Sequence, residues 1–187
     1  MAVNITVIKT GFIGVTTLIE ALLDERAARK DISVRAISSG SKMTLDDFQD
    51  VEKIATSINT DLFLLVTPNA SLDLPKKLAF NLSKHKPTIV ISDNFASKSI
   101  NDFENSNQGC IIIQGDPLIG IRQEFLDPIE MSNFNSDVLK VLSITGAFRA
   151  LLHEIDLVIS AINNFFKLFD VANSNNYFFI INILKYR

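Results

Sequence analysis

The sequence is poor in the side chains that carry most protein chemistry. Of its 187 residues a single one is cysteine, Cys110, so no internal disulfide can form and a reducing compartment is expected. Cys110 sits in the apolar run GCIIIQ, which points to a buried structural thiol rather than a nucleophile. The two histidines, His85 and His153, are far apart, and neither has cysteines or carboxylates at ligand spacing. No metal site is expected. There is no G-x-S-x-G elbow, and no serine or cysteine is accompanied by an evident base. With a formal charge of −3 the chain lacks a basic footprint, so nucleic acid is not an expected partner. Its apolar runs fall short of the roughly 20 residues of a membrane span. The start MAVNITVIKT has no charged region leading into a long apolar core. These absences predict a soluble, cytoplasmic protein without a membrane partner.

What is present is core material. An apolar fraction of 47% with 21% charge fits one globular domain, or one domain and an appendage. Short β-branched runs at 5–9, 32–37, 62–67, 88–92 and 110–114 alternate with helical patterns. Near-continuous apolar strands, each followed by a helix, predict an α/β fold: a doubly wound, mostly parallel sheet of Rossmann or flavodoxin-like type, covered on both faces. Helix starts are readable. Thr17 with Glu20 forms a capping box, Thr44 precedes Leu45-Asp46-Asp47, and Asp127-Pro128-Ile129-Glu130 joins a capping aspartate, a first-turn proline and a third-position glutamate.

Beyond Asp127 the pattern changes. Phe134, Val138, Val141, Leu142, Phe148, Leu151, Leu152, Ile155, Val158 and Ile159 recur at helical spacing, predicting a long helical segment with a break near Thr145-Gly146. It is expected to leave the sheet and pack on a neighbouring subunit or a missing segment. The division expected is 1–126 as an α/β coenzyme-binding domain, 127–164 as an incomplete helical bundle, and 165–187 as an atypical tail. The tail, FFKLFDVANSNNYFFIINILKYR, has no glycine, proline or glutamate and contains Tyr177 and Tyr186. Its amino acids are those with A- and T-rich codons, so a truncated chain read out of its evolved frame is expected there.

In a doubly wound sheet, ligands bind beyond the carboxyl ends of the strands. That rule nominates Thr10-Gly11-Phe12-Ile13-Gly14, Ser38-Ser39-Gly40-Ser41, Thr67-Pro68-Asn69, Asp93-Asn94 and the stretch from Gly115-Asp116-Pro117 to Gly120. GFIGVTT lacks the third glycine and spacing of a dinucleotide fingerprint and the lysine of a P-loop, so a turn and a ligand-cradling loop stay equally open. Asp93-Asn94 and Asp116-Pro117 are also good turn formers. Asp24-Glu25-Arg26 and Arg29-Lys30 read as a solvated helix face. An enzyme built from these residues needs chemistry that asks little of side chains, as in transfer between two bound organic molecules.

Three stretches carry a resemblance. KTGFIGVTTLIEALLDERAARKDISVR, VTPNASLDLPKK and GDPLIGIRQEFLDPIEMSNFNSDVLKVLSITGAFR resemble the coenzyme F420-dependent methylenetetrahydromethanopterin dehydrogenases of methanogenic archaea, almost without gaps from Ile5 to about Ile159. The resemblance implies an oxidoreductase catalysing reversible hydride transfer between methylenetetrahydromethanopterin and the 8-hydroxy-5-deazaflavin coenzyme F420, in the one-carbon metabolism of methanogenesis from carbon dioxide. It implies homo-oligomers and neither metal nor covalent catalysis. Placed on the matched motifs, Gly11, Phe12, Ile13, Gly14 and Thr16 would line the coenzyme site, with Pro68, Asn69 and Asp93 flanking the deazaflavin or its ribityl chain. Asp116, Ile119, Gly120, Arg122 and Glu124 would border the pterin or a subunit interface. Family members usually carry a basic residue near the position of Gln114 and continue beyond the end of this chain. A non-catalytic truncated fragment that keeps coenzyme binding or subunit assembly is the alternative expectation.

Overall fold

The computed structural model describes residues 2–11, 19, 23, 29–106, 108–113 and 127–169, without the side chains of residues 135 and 165–169. Five strands, β1 (Val3–Lys9), β2 (Ile32–Ser38), β3 (Leu62–Thr67), β4 (Thr88–Ser92) and β5 (Gly109–Ile112), form one sheet in the order β2-β1-β3-β4-β5. Every pairing is parallel. This is the doubly wound, flavodoxin-like order, and its direction reverses between β1 and β3. β3 and β4 are buried at every residue, as strands covered on both faces must be, whereas edge strand β2 is buried only at Ile32 and Ile37. The expected 62–67 and 88–92 are met residue for residue. β1 begins two residues earlier than expected, and β5 is Gly109–Ile112. Gln114 lies outside the described residues.

One face of the sheet is covered by α1 (Leu45–Ser57), α2 (Asp73–Ser83), a 3-10 turn (Asn94–Ser99) and α3 (Ile100–Asn105). Phe48, Val51, Ala55, Leu78, Leu82 and Phe103 pack there against Ile8, Phe63, Leu65 and Val90. The amino ends follow the chemistry anticipated. Thr44 accepts from the Asp47 amide while the Asp47 carboxylate accepts from the Thr44 amide, so two orphan donors of α1 are satisfied reciprocally. The capping pair Thr17 and Glu20 lies outside the described residues.

The other face corrects an expectation. α4 (Pro128–Ile144) and α5 (Ala147–Phe169) are separated at Thr145-Gly146, where Gly146 takes φ +81°. α5 does not leave the sheet. Phe148, Leu151, Ile155, Val158, Ile159 and Ile162 are buried in the cluster that contains Val3, Ile5, Val7, Leu64, Ile89 and Ile111, together with Ile19 and Leu23. The apolar stripe of α5 therefore has the inner sheet face as its partner, a pairing between residues distant in sequence that periodicity cannot reveal. α5 also runs on to Phe169, past the expected boundary at 164. Only Leu139 and Leu142 of α4 reach that cluster, and Ile129, Val141 and Ile144 stay exposed. Tyr177, Tyr186 and the rest of 170–187 lie outside the described residues.

Arg29 corrects a second expectation. It is not a solvated helix residue: its side chain is 17% exposed, with ion pairs to Asp31 and to Asp156 on α5. The Arg29 guanidinium is held above its ordinary pKa, chiefly by the hydrogen bond to Asp31, and the Asp31 carboxyl is held below its own by the same bond. Asp24, Glu25 and Arg26 lie outside the described residues.

Candidate functional site

The carboxyl edge of the sheet is assembled by register. Lys9 pairs with both Ser38 and Val66, and Thr67 pairs with Ser92. The ladder continues one step further, because the Ser39 amide donates to Lys9 O at 3.1 Å and the Thr10 amide to Val66 O at 3.0 Å. Ser39, Thr10, Thr67 and Ser92 thus stand in one row across β2, β1, β3 and β4. Side chains alternate along a strand, so all four share the α1/α2 face with Ile37, Ile8, Leu65 and Val90. The reversal point between β1 and β3, where a doubly wound sheet opens a crevice, falls at the middle of this row.

Gly11 closes the row from above. Its φ of +76° is one that glycine adopts freely, and its amide donates to Ser39 Oγ at 3.3 Å. A Cβ on Gly11 would lie 2.7 Å from Met43 Sδ and 3.1 Å from Pro68 Cγ. The positive φ is the stronger reason for glycine here, because the nearest atom belongs to a flexible methionine side chain. Pro68 and Asn69 follow β3 and are half-buried. The Asn69 side-chain oxygen accepts from the Ser71 amide and hydroxyl, which folds the segment back on itself. The Ala70 amide donates to Ser92 Oγ at 3.0 Å, pinning this loop to β4. Asp93 is buried and caps the following 3-10 turn by accepting from the Asn94 amide. Of the residues singled out in the sequence, Gly11, Pro68, Asn69 and Asp93 are brought to one edge. Phe12, Ile13, Gly14 and Thr16 lie outside the described residues, as do Asp116, Ile119, Gly120, Arg122 and Glu124.

Residues 3–171 match the family described as methylene-5,6,7,8-tetrahydromethanopterin dehydrogenase. The chain belongs to that family. F420-dependent methylenetetrahydromethanopterin dehydrogenases of Archaeoglobus fulgidus and Methanosphaera stadtmanae are similar to it at 46% identity over 162 residues and 43% over 164, in each case 87% of this chain and 59% of the relative. A solved F420-dependent methylene-tetrahydromethanopterin dehydrogenase, in complex with methylene-tetrahydromethanopterin and coenzyme F420, is similar in fold. The TM-score is 0.81 at 30% identity, covering 93% of this chain and 61% of that one. The chain therefore spans about three fifths of the length of the relatives it matches.

Several features of this family member bear on what the edge can do. Cys110 is buried in β5, and burial, with a smaller effect of Glu104, pushes its thiol up to about 12, so it holds its proton at neutral pH. Among the described residues no cluster of three or more histidine, cysteine, aspartate or glutamate side chains is placed to hold a metal ion. Among them, too, no helix is long and apolar enough to cross a membrane. The edge offers the hydroxyls of Thr10 and Thr67 beside a glycine of positive φ. Such groups bind and orient a polar organic molecule; they do not attack it. Sequence reasoning nominated Thr10, Ser39 and Thr67 for this edge but not Ser92, their alignment in one row or the neighbouring Met43, because register is not written in local pattern.

Proposed function

We propose that this chain is an F420-dependent methylenetetrahydromethanopterin dehydrogenase, catalysing reversible hydride transfer between methylenetetrahydromethanopterin and coenzyme F420. The observation that carries the proposal is the match of residues 3–171 to this family, in a sheet whose order reverses between β1 and β3. One feature fits an organic coenzyme there: the buried hydroxyls of Thr10 and Thr67, which have no hydrogen-bond partner among the described residues. Gly11 and, on the loop beyond it, Phe12, Ile13, Gly14 and Thr16 would hold the coenzyme, with Pro68, Asn69 and Asp93 flanking its ring and ribityl chain. Asp116, Ile119, Gly120, Arg122 and Glu124 would border the pterin or a subunit interface.

The bound coenzyme supplies C5 of the deazaflavin ring as acceptor of the hydride that leaves the methylene carbon, and the pterin product is the methenyl compound. The task left to the protein is to bring the two carbons together, orient them and exclude water, which by itself accounts for a large part of a barrier. No side chain forms a covalent bond to substrate in this account, and no metal takes part. The same reading places the chain in the cytoplasm of an archaeon, in methanogenesis from carbon dioxide, as a homo-oligomer. Its division is a coenzyme-binding domain at 1–126 followed by a helical segment.

The test is absorbance. Purified chain, coenzyme F420 and methylenetetrahydromethanopterin are mixed, and the band of the oxidised deazaflavin is followed. Loss of the band that depends on both protein and pterin supports the proposal. A stable band, beside a relative that consumes it, overturns it in favour of a chain that binds without turnover.

A further inference from the structure

The buried threonines divide by position. At the amino end of the sheet, the Thr6 hydroxyl donates to Thr60 Oγ1 at 2.8 Å, and Thr60 reaches Asn4 O at 3.1 Å. The Thr88 hydroxyl donates to Lys86 O at 3.0 Å. At the carboxyl edge, Thr10 and Thr67 are fully buried, and neither hydroxyl has a partner among the described residues. Their flanking neighbours in the same row are engaged: Ser39 donates to Lys42 O and accepts from the Gly11 amide, and Ser92 accepts from the Ala70 amide. The unpartnered hydroxyls are thus the two central members of a four-residue row, at the point where the sheet reverses direction. A buried hydroxyl left without a partner is costly and rare in native proteins, and it marks a group kept for something other than folding.

We infer that Thr10 and Thr67 are positioning residues which hydrogen-bond the polar edge of a heteroaromatic ring bound in the crevice. The inference rests on the coenzyme reading above and deepens it. A hydroxyl can both donate and accept, and two of them side by side match an edge that alternates carbonyl and N–H groups. Met43 and Pro68 lie over the row at Gly11. The methionine is half-buried, and its unbranched side chain is flexible.

The experiment compares wild type with Thr10→Val, Thr67→Val and the corresponding serine variants. Urea unfolding is measured without ligand, and binding of coenzyme F420 and of methylenetetrahydromethanopterin is measured separately. Valine keeps the shape and removes the orphaned hydroxyl, so each valine variant is expected to unfold at higher urea. Each is also expected to bind one of the two molecules about three- to tenfold more weakly, and serine restores affinity. The molecule affected identifies which ring occupies the subsite. Valine variants that bind both molecules as tightly as wild type overturn the inference. So does a fall in urea midpoint, which shows the hydroxyls to be satisfied within the fold or by a buried water. Failure of the wild type itself to bind coenzyme F420 overturns the coenzyme reading, and the inference with it.

Discussion

At the scale of single residues, conformation and burial decide more than chemical type. Gly11 has positive φ and no room for a Cβ beside Met43 and Pro68. Gly11→Ala is expected to cost about 1–3 kcal/mol in urea unfolding and to weaken coenzyme F420 binding. Unchanged stability would show that the loop relaxes freely. Cys110 provides a contrast, since its thiol is raised to about 12 by burial in β5. It should resist a thiol reagent at pH 8 in native protein and react once urea unfolds the chain. The sequence made both residues legible, Gly11 from its place after an apolar run and Cys110 from the run that contains it. Asp93 was legible only as a choice between turn and ligand contact, and Asn69 only as a ligand contact. Their side chains serve the turn, as short polar side chains do beside a free backbone amide.

At the scale of elements, the strands and caps follow local rules, and the long-range partners do not. The start of α4 was readable in four letters: the Asp127 carboxylate accepts from the Ile129 and Glu130 amides, and Glu130 returns a bond to the Asp127 amide. Asp127→Ala should lower stability by about 1 kcal/mol, measurable by urea unfolding. What covers the inner sheet face was not readable, because the stripe of α5 looks the same whether its partner is a sheet or another subunit. Ile155 is fully buried at the middle of that stripe. Ile155→Ala is expected to cost about 2–5 kcal/mol, whereas a cost below about 0.5 kcal/mol would place α5 off the sheet. Arg29 joins the segment before β2 to α5 through Asp31 and Asp156. Both carboxylates are well exposed, so Arg29→Ala should cost only about 0.5–1 kcal/mol at neutral pH. The folded pKa of Asp31 lies below its ordinary 3.8, so its stabilisation is complete above that value and is lost as pH falls through the lower folded one. The stability gap between wild type and Arg29→Ala should therefore narrow below about pH 3.8, in acid titrations followed by circular dichroism.

At the scale of the molecule, strand order turns scattered loops into a site. The order β2-β1-β3-β4-β5 brings residues 10–11, 39, 67–69 and 92–93 to one edge, although no two of these loops adjoin in sequence. The rule that ligands sit beyond the carboxyl ends of such strands chose the edge; register chose the row of hydroxyls within it. A relative of similar fold is bound to coenzyme F420 and methylene-tetrahydromethanopterin, and the ligands proposed for this edge follow from that likeness, not from geometry. The central claim is the location of the coenzyme site. Amide hydrogen exchange of this chain, with and without saturating coenzyme F420, tests it most directly. The account predicts slowed exchange at Thr10, Gly11, Asn69, Ala70 and Asn94, and none at Asn4, Asp61 and Lys86 on the opposite edge. Protection confined to that opposite edge would contradict it.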